Sequence, residues 1–371
     1  MAKLIAIEDM VGPSVAGRGG HQLHVLNILE GLTRNGHQVL FLEYLDEPPS
    51  PAACAAFGRL LGERSAALLD AHSGSSFAGS STEQVRAFAA AADAVISLAA
   101  HYRREPWPLL EDVRPRILIE QDPGYTHVWA ADGDPADIFG EHDFHFTVGA
   151  NVGTDRSPIP TCGIEWTALW PPVVLDWFAA ATPPDRDRFT TVGAWRDYGY
   201  IELAGQLLGP KVEEFTKFIE LPRRAGEALE LTLAIDDNDE DRARLLEHGW
   251  RLESPSLVDT PAKFNAYVAG SLGEFSCAKG GYVGSHSGWF SDRSACYLAA
   301  GRPTVLQATG FEDLLPVGDG VFAVSTIDEA AAAIAEIRGD YDRHARAARE
   351  VAREFFDAEM LMGRMLGACG L

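Results

Sequence analysis

The stretch His286–Pro303, HSGWFSDRSACYLAAGRP, carries the plainest chemical pattern in the chain. Ser291 and Asp292 suit a helix N-cap, Ala295 to Ala300 is a run of helix formers, Gly301 suits the left-handed position after a helix, and Pro303 prevents continuation. A helix start presents unpaired N–H groups and the positive end of the helix dipole, so it can hold an anion such as a phosphate. Gly288, just before it, would let a ligand approach the backbone closely. The same residues would also make an ordinary loop, helix and strand, with Thr304-Val305-Leu306 as the strand.

A second set of residues has the types needed to act on a leaving group or an acceptor. Arg196 follows a strand signal at Phe189 to Gly193, and Lys279 follows another at Gly273 to Cys277. In an open α/β sheet those strand ends face a cleft, where a cation would stabilise negative charge on a bound group. Arg293, in the first turn of the expected helix, can reach a phosphate or pair with Asp292. Lys217 lies between Phe215 and Phe218 on a helical pattern and reads as part of a solvated helix face.

Asp122 precedes Pro123-Gly124, a rigid turn that would hold its carboxylate at the cleft, either as a proton acceptor or as a turn aspartate. His21, at the start of the first helical pattern, is a second residue of a type that can accept a proton. The acidic run Asp236 to Glu240 looks at first like a metal cluster. Acids between a strand and a helix favour the helix N-terminus, so it reads as a capped, solvated turn.

These residues need a frame. Leu4 to Ile7 is a short apolar strand, Gly12 to Gly20 a Gly-rich loop, and Leu23, Leu26, Ile28, Leu29 and Leu32 recur at helical spacing before Val39 to Leu42 returns as strand. Ala52 to Leu69 reads as helix, Gly74 to Ser81 as a Ser/Gly loop, Thr82 to Ala92 as helix, and Ala94 to Leu98, Arg116 to Glu120 and Phe144 to Val148 as buried strands. The first half is thus expected to be a doubly wound parallel sheet. Ser157 to Asp187 is Pro-rich and reads as a linker. A second alternation of strands and helices follows to Ile337, and Tyr341 to Leu366 reads as one long amphipathic helix or a pair.

The expectation is an α/β chain of two Rossmann-like domains facing a cleft: residues 1–172, residues 173–345, and a C-terminal helix at 346–371 packing back on the first domain. A length of 371 residues suits two domains, and 46% hydrophobic with 23% charged residues is the composition of a globular enzyme. The net charge of −23 argues against gripping an extended nucleic acid. Five cysteines without CxxC or Cys/His spacing suggest neither a disulfide framework nor zinc. With no signal-like opening and no run of membrane-spanning length, a cytoplasmic protein is expected.

Two segments carry a resemblance to glycosyltransferases of the GT-B architecture. Gly19 to Leu42, GGHQLHVLNILEGLTRNGHQVLFL, looks like the Gly-Gly, His-Val, Leu-x-x-x-Leu, Gly-His-x-Val start of many such enzymes. His286 to Ser291, HSGWFS, is similar to the His-Cys-Gly-Trp-Asn-Ser of UDP-sugar-dependent transferases. The resemblance implies a metal-independent enzyme that moves a sugar from a nucleotide-diphosphate donor to a small-molecule or glycan acceptor, with no cofactor besides the donor substrate.

It further implies that Gly19 and Gly20 face the donor phosphates, that His286, Gly288 and Ser291 contact the diphosphate, and that Gln307, Gly310 and Glu312 lie where sugar hydroxyls are read. His24 is the more family-like histidine of the first helix. Two departures matter. No glutamate occupies the middle of the key helix, which leaves Asp292 or Ser294 for the ribose, and the Glu-x7-Glu pattern of many retaining enzymes is absent. A nucleotide-sugar epimerase of the same build, or a non-catalytic GT-B partner protein, are the alternatives.

Overall fold

Short apolar runs buried on both faces become parallel strands, and the amphipathic segments between them become the covering helices. The computed structural model describes residues 1–99, 107–178, 184–196 and 198–371. The first sheet contains β1 (Lys3–Ile7), β2 (Gln38–Leu45), β3 (Ser65–Asp70), β4 (Ser76–Gly79), β5 (Ala94–Ser97), β6 (Arg116–Glu120), β7 (Phe144–Thr147) and β8 (Thr167–Ala168). Their order is β4-β3-β2-β1-β5-β6-β7-β8, and every neighbouring pair is parallel except β3 with β4.

The second sheet contains β9 (Phe189–Ala194), β12 (Glu230–Ala234), β13 (Arg251–Glu253), β14 (Gly273–Ser276), β15 (Thr304–Gln307) and β16 (Val321–Val324), in the order β13-β12-β9-β14-β15-β16 and parallel throughout. A separate antiparallel hairpin, β10 (Ile201–Leu203) with β11 (Gln206–Leu208), is inserted after β9. In each sheet the strand order reverses beside the first strand, at β1/β5 and at β9/β14. Those two switch points are where an open α/β sheet leaves a crevice.

The helix expected over Ala52 to Leu69 is shorter. Pro51–Leu61 is helical, with Ser50 accepting the Ala53 N–H at 3.1 Å, but Gly62 at φ 58 ends it and Ser65–Asp70 pairs with β2 instead. A short apolar run such as SAALLD has no periodicity that separates buried strand from helix. Part of the expected Ser/Gly loop forms β4. The expected linker contains β8 and a helical turn at Leu175–Trp177, while its residues 179–183 lie outside the described residues.

The C-terminal segment is two helices, Tyr341–Phe355 and Ala358–Ala368. The second packs on helix Gly19–Arg34, so that Leu361, Met362, Met365 and Leu366 share a core with Val25, Ile28, Leu29 and Leu32 of the first domain. Gly31 permits this close approach, because a Cβ there would lie 2.6 Å from the Ala358 carbonyl oxygen. The chain's two passages between domains lie side by side: the Val173 N–H donates to Phe356 O at 2.7 Å, and the Ala358 N–H donates to Val173 O at 3.0 Å. Among the described residues no helix is long and apolar enough to cross a membrane.

Candidate functional site

The helix expected to hold an anion forms as Asp292–Ala299, with Ser291 at its N-cap in extended geometry and no side-chain cap bond. That leaves the N–H groups of its first turn uncapped by a side chain. Around it, at the carboxyl ends of β9 and β14, several cations gather. Lys211 begins helix Lys211–Thr216 and brings its Nζ to within 3.0 Å of where a Cβ on Gly193 would stand. Cys277, just after β14, feels the charges of Lys211, Glu214, Lys217 and Arg293. The space beside Ser291 and Ser294 is only about 10 Å³, so little fits there with the surrounding loops in place.

The loops are close because the first domain sits on them. Asn151, in the loop after β7, is fully buried; its N–H donates to Ser287 O at 3.0 Å and its Nδ2 donates to His286 O at 3.0 Å. Gly288 has φ 73, and a Cβ there would lie 2.8 Å from the Asn151 nitrogen; one on Gly310 would meet the Asn151 amide and the His286 ring. Gly19 and Gly20 are likewise placed differently from the expectation. A Cβ on Gly19 would overlap the Thr260 carbonyl, and one on Gly20 would lie 2.9 Å from the Phe264 ring. In this arrangement all four glycines admit protein atoms closely: Gly19, Gly20 and Gly288 those of the opposite domain, and Gly310 both Asn151 and the His286 ring.

Several expected contacts have protein partners. Arg196 is bonded to Asp239 at 2.8 and 3.0 Å and to Asp241 at 2.8 Å, with its side chain 56% exposed. This also explains the acidic run: Asp239 caps helix Glu240–Glu247 and holds Arg196. Arg293 does not bond to Asp292. It turns beneath the helix to Glu274 at 2.5 Å, Val192 O at 2.9 Å and Ser276 Oγ at 2.6 Å. Gln307 accepts from the Ala278 N–H and donates to Glu214 at 2.6 Å, Glu312 accepts the Gly310 N–H at 3.0 Å, and His286 Nε2 lies 2.9 Å from Asp313. Lys217 pairs with Glu214 at 2.6 Å and stays 58% exposed.

Asp122 and Lys279 meet across the cleft. Lys279 Nζ donates to Asp122 Oδ1 at 2.9 Å, the Tyr198 hydroxyl donates to Oδ2 at 2.9 Å, and the Tyr282 hydroxyl donates to Oδ1. Nζ also lies 3.7 Å from the centroid of the Tyr198 ring, a cation–π contact. Burial alone would raise the Asp122 pKa. The adjacent Lys279 charge and the three donors outweigh it and hold the carboxyl below its usual range. Tyr198 and Tyr282, and the cage they make with Tyr125, gave no signal in the sequence because each looks like an ordinary core aromatic.

On the other side of the cleft, His21 Nε2 lies 2.7 Å from Asp9 O. His24 is buried; burial lowers its pKa, and the charge of Asp292 from the opposite helix start opposes that. Three buried carboxyls line the carboxyl edge of the first sheet. Burial raises Glu8 to about 8, and Glu43 and Glu120 each to about 7. Glu120 is the best satisfied, accepting from Thr126 and Thr147 at 2.7 Å each. These acids and Lys211 were missed in the sequence, where they read as strand continuations and an ordinary helix start.

The sequence matches no protein-family model and no curated protein. Solved structures do match over the whole length. Anabaena HepE in complex with UDP-glucose has TM-score 0.59 at 12% identity, covering 99% of this chain and 100% of that one. An alpha-glucosyltransferase in complex with UDP and a 13-mer DNA has TM-score 0.59 at 10% identity, covering 100% of both chains. AviGT4, a glycosyltransferase involved in avilamycin A biosynthesis, has TM-score 0.57 at 12% identity over 99% of this chain and 96% of that chain.

The chain has the GT-B fold. In GT-B terms the helix start at Ser291 and the Lys279–Asp122 pair lie at the carboxyl ends of the second-domain and first-domain strands, on the two walls of the cleft. Among the described residues no group of three or more His, Cys, Asp or Glu is placed to hold a metal ion.

Proposed function

We propose that the protein transfers a sugar from a nucleotide-diphosphate donor, held by the second domain, to an acceptor held by the first. The observation that carries this reading is the Asp122–Lys279 pair, in which a largely buried cation just after β14 meets a carboxylate of the first domain. The fold shared with structures that contain UDP or UDP-glucose supports it and makes UDP the first nucleotide to try.

Lys279 and Lys211, with the N–H groups of the first turn at Asp292, would meet the diphosphate, so that the chain's own cations stabilise the leaving group. The loop carrying Asn151 must withdraw from His286 and Ser287 for the donor to enter. When the diphosphate takes Lys279, Asp122 loses the charge that depresses its pKa and becomes a stronger base. It can then take the proton of the acceptor hydroxyl as the acceptor oxygen bonds to the sugar C1 and the bond from C1 to the diphosphate oxygen breaks. His21 is the other base within this reading: with Nε2–H donated to Asp9 O, its Nδ1 is left as the acceptor.

The test is release of free nucleoside diphosphate from a panel of nucleotide sugars by the purified protein. The expected result is turnover with at least one donor, reduced about a hundredfold or more in Lys279→Ala. Asp122→Asn should depress turnover more than donor affinity. Tight nucleotide binding without turnover of any donor would sink the transferase reading and favour a non-catalytic role.

A further inference from the structure

Beside the loop after β1 lies a groove of about 930 Å³, lined by Asp9, Gln22, Tyr44, Asp46 and Glu47 among others, with no lysine or arginine among its described lining residues. Behind it is a recess of about 30 Å³, which shares Asp9 and Tyr44 with the groove and is also lined by Glu8, Ser97 and Trp107. Its volume is about that of one water molecule or one ammonium head. Glu8 is 5% exposed; its Oε1 accepts the Asp9 N–H at 2.9 Å, while its buried Oε2 meets no donor among the described residues.

A buried acceptor without a donor is costly, and here Asp9, Glu43 and Asp122 surround it with further negative charge. A small cation bearing N–H groups would displace the proton that burial otherwise keeps on Glu8 and would donate to Oε2. A metal ion fits less well, since Glu43 already accepts the Val11 and Gly12 N–H groups and no metal-binding group of acids is formed among the described residues. We infer that the recess takes the ammonium head of an amine-bearing acceptor, such as an amino sugar, and that the groove takes the remainder. The inference rests on the reading that the first domain holds the acceptor.

The experiment titrates a glucosamine disaccharide with free amines, and its di-N-acetyl counterpart, into the full chain at pH 7. A salt concentration of about 0.15 M screens diffuse attraction to the acidic surface. The free amine is expected to bind about tenfold or more tightly than the acetylated sugar. Glu8→Gln should remove that advantage, and Glu47→Gln, an exposed change at the rim, should reduce it about twofold to threefold.

Equal affinity for the two sugars, no binding of either, or an advantage that survives both substitutions overturns the inference. Titrating UDP into the same sample separates the two readings. UDP binding without amine preference overturns only the inference, and amine preference without UDP binding overturns only the sugar-transfer reading.

Discussion

The opposed states of Asp122 and Glu8 come from the same physics. Both carboxyls are buried, but Asp122 has a lysine and two tyrosines as donors, whereas Glu8 has one backbone N–H and three acidic neighbours. Glu8 therefore keeps its proton in the folded chain at pH values where the unfolded chain has released it. Its contribution to stability is full below about pH 4.5 and is lost as pH rises through about 8. Glu8→Gln should be more stable than the parent by an amount that grows across that window, reaching roughly a few kcal/mol; thermal melts at pH 5 and pH 8 would show it, and an unchanged difference would refute it. Gly288→Ala should destabilise by about 1–3 kcal/mol, because it combines a positive φ with a 2.8 Å contact to Asn151, and denaturant melts would measure this. Asp122 and Lys279 were legible in the sequence because each follows a strand end. The glycines were legible as places of close approach, but what approaches them comes from the other domain, which local sequence does not encode.

At the scale of elements, helix Asp292–Ala299 was legible from its cap and its Gly-Pro stop, and β6, β15 and β16 from their short apolar centres. The β3 strand was not, because its six residues continue the apolar character of the preceding helix, and the hairpin β10/β11 was missed in a segment of mixed polarity. Helix Ala358–Ala368 was expected to return to the first domain, and its core contacts make a direct stability test. Met362 is fully buried, so Met362→Ala should cost about 2–5 kcal/mol in urea unfolding. A cost near zero would mean that this helix does not close the first domain's core.

At the scale of the molecule, two sheets with reversed strand order face one cleft, and the chain crosses between them at Val173 and again at Phe356–Asp357. Against a net charge of −23, Lys211, in the connection from β9 to β12, and Lys279, just after β14, are the proposed cations for the donor diphosphate. The two-domain layout was readable from alternating strand and helix signals; the closed contact of Asn151 with His286 and Ser287 was not, since it depends on how the domains meet. Calorimetric titration of UDP into the wild-type chain and Lys279→Ala tests the central claim most directly. The account predicts a single site in the wild-type chain, weakened about tenfold or more by the substitution in a chain that remains folded by circular dichroism. Absence of UDP binding, or equal affinity in both chains, would contradict it.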